Sequence, residues 1–131
     1  SDNWVIAPAL GVEYLIRTPS AAAVAANQLG SNEPWFVISG NSTKSGEFRI
    51  LRNPRIKLGG KKIIHTEGCM SIPGEKYRVM RHTKVKVQWD DENGRSTNWV
   101  TCRDWLAFVI QHEYDHLRGI CIDEITVNPP E

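Results

Sequence analysis

With 131 residues and 40% hydrophobic content, the chain suits one compact domain over residues 1–131, whose core needs no disulfide staples. A net charge of +1 gives no overall field for a nucleic acid or an anionic membrane, and no apolar run is long enough to span a bilayer. Three cysteines with no close-spaced pair make no disulfide framework, so a reducing compartment is expected, the cytoplasm or an organelle matrix.

In chain order, Val12, Tyr14 and Ile16 alternate with Glu13, Leu15 and Arg17 and predict a short strand within residues 4–18. Ser20 suits the N-cap of the alanine-rich residues 21–27, a short helix or a tight loop. Residues 35–39 and 48–52 read as strands joined through a turn-rich stretch, a first hairpin. Residues 55–58 and 62–66 predict a second, closed across Gly59-Gly60. Arg52, Arg55, Lys57, Lys61 and Lys62 there read as a solvated strand face, without a nucleic-acid partner. Gly68 and Pro73-Gly74 predict a bent loop around Cys69. Residues 79–89 and 96–101 flank Asp91-Glu92-Asn93-Gly94, a third hairpin. From about Cys102 to Leu117 the apolar residues cover more than half of a helical circumference, predicting a centrally buried helix that stops at Gly119. The expected class is α+β, with antiparallel strands and hairpins packed around that C-terminal helix.

The last helix carries His112-Glu113-Tyr114-Asp115-His116, an HExxH pattern. Residues four apart face the same way, so His112 and His116 can bind one ion, with Glu113 beside it as general base. A catalytic site needs a third protein ligand. Ile122 stands where a third histidine of HExxHxxGxxH would be, and Asp123 and Glu124 follow too closely to come from another helix. The missing ligand therefore lies upstream, among Cys69, His65 and His82. Trp105 and Val109 share the helical face of His112 and His116, so they form an apolar wall for a substrate side chain or else plain core.

Three segments in order resemble peptide deformylases: Ala21-Ala22-Ala23-Val24-Ala25-Ala26-Asn27-Gln28, Glu67-Gly68-Cys69-Met70-Ser71, and Gln111-His112-Glu113-Tyr114-Asp115-His116-Leu117. They correspond to the family patterns GxGLAAxQ, EGCLS and QHExDHLxG, and the likeness runs from about Pro19 onward. The resemblance implies that Cys69, His112 and His116 are metal ligands and Glu113 the general acid/base. Gln28 and the Met70 backbone N–H become oxyanion donors, and Ala22, Ala23 and Gly68 border the substrate. It implies hydrolysis of the formyl group of N-formylmethionyl peptides or nascent chains, releasing formate. One divalent ion per chain is expected, natively Fe(II), with Zn(II) or Ni(II) as substitutes.

The expected setting is a monomer in a bacterial or phage-infected cytoplasm, or an organelle matrix, with no membrane or nucleic acid bound. Asp115 is expected to pair with Arg81. The chain also reads as a minimal version without the C-terminal helix that bacterial members use to dock on ribosomes, although it works near them. Alanines replace both glycines of the first motif, at Ala21 and Ala23, and added methyls there can narrow the substrate's approach. Two alternatives stay open, a weakly active formyl-peptide-binding homologue and a small metallo-aminopeptidase.

Overall fold

A computed structural model describes residues 3–69 and 72–127. Helix α1 (Asn3–Arg17) precedes strand β1 (Ala23–Ala25), a 3-10 turn (Ala26–Leu29), β2 (Trp35–Ile38) and a second 3-10 turn (Gly40–Ser42). The long strands β3 (Arg49–Cys69) and β4 (Ile72–Asp90) follow, then β5 (Val100–Arg103), helix α2 (Asp104–Leu117) and a last 3-10 turn (Ile122–Glu124). The strands form one antiparallel sheet in sequence order, so the architecture is α+β as the sequence predicts.

Strand alternation decides which helix covers which face. Phe36 and Ile38 of β2 join Val85, Val87 and Cys102 in a core closed by Ala107, Val109 and Ile110 of α2. Trp35 and Val37, pointing the other way, pack with Val24 and with Leu15 of α1. The β1–β2 end is thus buried on both faces, whereas α2 backs the middle of the sheet together with Ile122 of the last 3-10 turn, which packs on Cys69 and Val79.

Four local expectations change. Residues 4–18 are helical: burial of Pro8, Gly11 and Leu15 recurs at helix spacing, and packing on β2 overrides two poor helix formers, Pro8 and Gly11. The alanine stretch is neither helix nor loop throughout, because β1 pairs with β2 before the 3-10 turn begins. No hairpin closes at Gly59-Gly60: β3 runs on through them against β4, bent where the register shifts between Gly59 and Lys62. Gly60 takes a φ of 68°, and the Lys61 N–H bonds to Thr83 Oγ1 at 3.0 Å. Pro73-Gly74 likewise lies inside β4, and Cys69 pairs directly with Ile72.

The first predicted hairpin is present, with Trp35 opposite Arg52 and Ile38 opposite Arg49. At the third, the Asp91 carboxylate accepts from the N–H groups of Asn93 and Arg95, both at 2.9 Å. Its second arm comes late: β5 starts at Val100 and keeps Cys102 and Arg103, so α2 begins at Asp104. Gly119 ends that helix with a φ of 77°, as expected.

Gly11 brings α1 close to β2, since a Cβ there would lie 2.8 Å from Val37 Cγ2 and 2.9 Å from the Trp35 ring. Gly11→Ala should gain about 1 kcal/mol of helix propensity. Both neighbours are fully buried, however, and overpacking costs about 1–3 kcal/mol. The variant should therefore be less stable in urea unfolding, and a higher midpoint would show that α1 does not approach β2 so closely.

Candidate metal centre

The α2 backbone sets His112 and His116 one turn apart, and their Nε2 atoms lie 3.1 Å from each other. Cys69, the last residue of β3, brings its Sγ to 3.3 Å from His116 Nε2. These three ligand atoms lie within 4.8 Å of one another. Of the upstream ligand choices, then, Cys69 joins the histidines, while His65 and His82 stand outside the cluster.

Neighbouring side chains fix the ligands. The Gln111 amide accepts from the His82 N–H at 2.9 Å and donates to the His82 carbonyl at 2.7 Å, riveting α2 to β4. Asn27 Nδ2 donates to the His116 carbonyl at 2.6 Å, holding the far end of the helix to the 3-10 turn. In that turn, Gln28 Oε1 accepts from the Ala25 N–H at 2.8 Å, which leaves Gln28 Nε2 facing Cys69 Sγ at 3.9 Å.

Behind His112 lies Glu67, only 8% exposed. It accepts from His112 Nδ1 at 2.8 Å, His65 Nδ1 at 2.9 Å, and Arg81 Nε and Nη2 at 2.9 and 2.8 Å. Burial alone would raise its pKa, but the bonds from Arg81 and His112 outweigh it and hold the carboxyl down at about 2. With Nδ1–H given to this carboxylate, His112 keeps its Nε2 lone pair for the cluster, a common arrangement for a metal-bound imidazole. Burial would lower the His112 pKa, yet its contacts with Cys69 and Glu67 raise it to about 10. That proton is one a cation would displace.

Arg81, 3% exposed, also donates through Nη1 to Asp115 at 2.6 Å, the pairing expected from the sequence. It spans two buried or half-buried carboxylates, which is a larger role than a surface pair has. Glu113 is 4% exposed, and its Oε2 is buried with no hydrogen-bond partner among the described residues. Burial raises its pKa to about 7 despite the nearby histidines. A buried, unpaired carboxylate oxygen beside three convergent soft and borderline donors fits a site built to receive a cation and a polar ligand.

A cleft of about 590 Å³ opens over this cluster. Ala22, Ala23 and Gly68 border it, as do Trp105 and Val109, so these residues do line one space with Gln28 and Glu113. Trp105 is 55% exposed at the rim, whereas Val109 is buried against the core. Ala21 and Ala23 require no glycine: neither has a positive φ, and both methyls pack into core clusters. Met70 lies outside the described residues.

The sequence reading does not single out Glu67, His65 or Phe108 as members of this site beyond the choice of His65 as a possible ligand. His65 stacks on Phe108, with ring centroids 4.2 Å apart, and both line the cleft. The available signal for Glu67 is a carboxylate one strand repeat before Cys69, because metal-bound histidines generally need an acceptor behind them. For His65 and Phe108 the pairing crosses from β3 to α2, and no local spacing announces it.

A model of the polypeptide deformylase family matches residues 9–129. The chain is 36% identical over 108 residues to peptide deformylase 3 of Shewanella oneidensis, covering 82% of this chain and 65% of that protein. It is 40% identical over 99 residues to a peptide deformylase of Aquifex aeolicus, covering 74% and 58% respectively. The matches thus span less than two thirds of these curated relatives' lengths. Among solved structures, peptide deformylase 1B of Arabidopsis thaliana in complex with an inhibitor superposes with a TM-score of 0.86 at 27% identity, over 98% of this chain and 71% of that one. A peptide deformylase from Synechococcus elongatus in complex with actinonin superposes with a TM-score of 0.78 at 33% identity, over 89% and 62%.

Removing Arg81 leaves two carboxylates without their cation, so Arg81→Met should cost about 3–5 kcal/mol of unfolding free energy. Glu67→Gln should cost less stability. A loss under about 1 kcal/mol for Arg81→Met, measured by urea denaturation, would show that the carboxylates find other partners.

Proposed function

The chain belongs to the polypeptide deformylase family, and we propose that it is a metal-dependent hydrolase that removes the formyl group of N-formylmethionyl peptides and releases formate. The observation that carries this reading is the convergence of Cys69 Sγ with the Nε2 atoms of His112 and His116 beside the unpaired Glu113 carboxylate. Those three ligands would hold one divalent ion, ferrous iron in the native protein with zinc or nickel as substitutes. Bound there, such an ion supplies Lewis acidity and lowers the pKa of water to about 7.

The remaining chemistry belongs to the side chains. Glu113 takes a proton from the attacking water and returns it to the departing amine, and its elevated pKa suits both transfers near neutral pH. As the formyl carbon becomes tetrahedral, negative charge gathers on the formyl oxygen. Gln28 Nε2 donates to it, and the Ala25 N–H, by holding Gln28 Oε1, keeps that amide from flipping. The Met70 N–H is the proposed second donor, from the family pattern. Trp105, Phe108 and Val109 receive the methionine side chain, while the backbone near Ala22, Ala23 and Gly68 runs along the peptide. Formylated nascent chains in a reducing compartment are the proposed substrates, since a thiolate ligand is preserved there.

Formate release from formyl-Met-Ala-Ser, compared with cleavage of Met-Ala-Ser by the same anaerobically purified protein, tests the reading. Hydrolysis of the formylated peptide alone supports it. Cleavage of the free-amine peptide would favour an aminopeptidase, and binding without formate release a catalytically weak homologue. Glu113→Ala should keep its metal and lose about 10²–10⁴-fold in kcat, whereas Cys69→Ala should lose the metal as well. Equal metal retention by both variants would remove Cys69 from the ligand set. Val109→Trp should raise KM for the formyl-Met peptide, and should also cost about 1–3 kcal/mol because Val109 packs in the core; an unchanged KM in the folded variant would assign Val109 to the core alone.

A further inference from the structure

The register of the sheet gathers cations that the linear sequence keeps apart. Lys57 of β3 stands opposite Lys86 of β4, which stands opposite Thr101 of β5; Gly59 stands opposite Lys84, which stands opposite Arg103; and Lys62 stands opposite His82. Directly paired residues share a face, and this face is the reverse of the one on which Val85, Val87 and Cys102 meet α2. Lys57, Lys62, Lys86 and Arg103 are exposed, Lys84 is half-exposed, and none of the five makes an ion pair among the described residues. Trp99 joins the same face, with Lys57 Nζ 4.4 Å from its ring centroid.

The net charge of +1 conceals this surface, on which the acid Asp90 is already taken by Arg55. Between Arg49 and Gln88 the carboxylates are Glu67 and Glu75, and Glu67 is buried on the inner side. Like charges placed directly opposite each other destabilise a sheet. Lys57 against Lys86 and Lys84 against Arg103 therefore carry a repulsion that interleaved carboxylates would have removed. A solvated face shaped only by stability has no need of it; an anionic ligand would relieve it.

We propose that this outer face of β3, β4 and β5 binds single-stranded RNA through its phosphate backbone. Lys84 and Lys86 lie about 7 Å apart along β4, and Lys57 and Arg103 flank them about 5 Å away on the neighbouring strands, a spacing on the scale of successive phosphates. Trp99, 39% exposed and with Lys57 over one ring face, offers its other face for one base, and a sheet carrying cations with an exposed aromatic is a recurrent platform for single strands. The Thr101 hydroxyl, among these cations, makes no hydrogen bond among the described residues and can meet a ribose 2′-hydroxyl. The Arg52-to-Lys62 run on its own reads as a solvated face; the proposal rests on its neighbours in β4 and β5. It is independent of the hydrolase reading, since no residue of the grid borders the cleft.

Fluorescence anisotropy of a labelled mixed-sequence 20-nucleotide RNA, titrated with the metal-loaded protein at 50 mM salt, tests the proposal. Micromolar binding is expected, weakening as salt rises. The triple variant K84E/K86E/R103E should weaken it at least tenfold and reduce the log–log salt slope by about 2, near 0.7 for each phosphate no longer neutralised. The neutral variant K84Q/K86Q/R103Q should show a smaller loss, and a control reversal at Arg17 and Lys44 none. Formate release should be unchanged in all three, and the neutral variant should melt at or above the wild type as the repulsion is removed. Absence of binding, equal binding by wild type and the triple variant, tighter binding of the matching DNA strand, or preferential binding to phosphatidylserine vesicles would each overturn the proposal.

Discussion

Glu67 sits buried near the end of β3 and accepts hydrogen bonds from Arg81 of β4, His112 of α2 and His65 of its own strand. An ionised carboxylate removed from water carries a desolvation cost of several kcal/mol, which only close charge-assisted partners offset. Arg81 supplies two of those bonds, and its own burial is offset in turn by Asp115. The group therefore holds together as a unit or not at all. Because its members come from three elements, keeping it satisfied fixes the distance between the β3–β4 ribbon and α2. The approach of His116 Nε2 to Cys69 Sγ at 3.3 Å and to His112 Nε2 at 3.1 Å follows from that fixed distance.

The site is thus positioned by polar contacts rather than by the apolar core alone. Apolar packing brings α2 against β4 but tolerates small slides, as hydrophobic contacts have little directionality. Gln111 removes the slide by bonding both polar groups of His82 in β4, and Asn27 removes the tilt at His116. Gln28 belongs to the same short turn as Asn27, so the proposed oxyanion donor and a helix anchor share one rigid piece of backbone. A change in that turn would move Gln28 together with the Cys69, His112 and His116 cluster.

What is legible in the sequence divides along the range of the interactions. HExxH can be read because an α-helix repeats every 3.6 residues, which gives the His112–His116 face without tertiary knowledge. The family pattern then singles out Cys69 and the Arg81–Asp115 pair, which spacing alone leaves open. Errors arise where a local signal competes with packing. Val12, Tyr14 and Ile16 alternate, yet Pro8, Gly11 and Leu15 form the face that β2 buries. Gly59-Gly60 carries the turn signal of a hairpin, but β4 is long enough to pair beyond it, so the same flexibility makes a bend. Glu67 stays obscure because its meaning depends on partners that folding alone brings together.

The same distinction explains why the sheet presents two electrostatic faces. On its inner side the buried charges Glu67 and Arg81 are matched, since an unmatched one would cost too much; Glu113 Oε2 is left without a partner among the described residues, beside the cleft. On the outer side water reduces the repulsion of Lys57 against Lys86 and of Lys84 against Arg103 without removing it. One β4 strand supplies both surfaces by alternation: Arg81, Val85 and Val87 point inward, and His82, Lys84 and Lys86 outward. A one-residue slip of β4 would bury the lysines and expose Arg81, with large desolvation penalties for the lysines and an unmatched Glu67 left behind. The inner network and the outer cation grid are therefore enforced by a single register, and the Glu67–Arg81 bond is the contact that locks it.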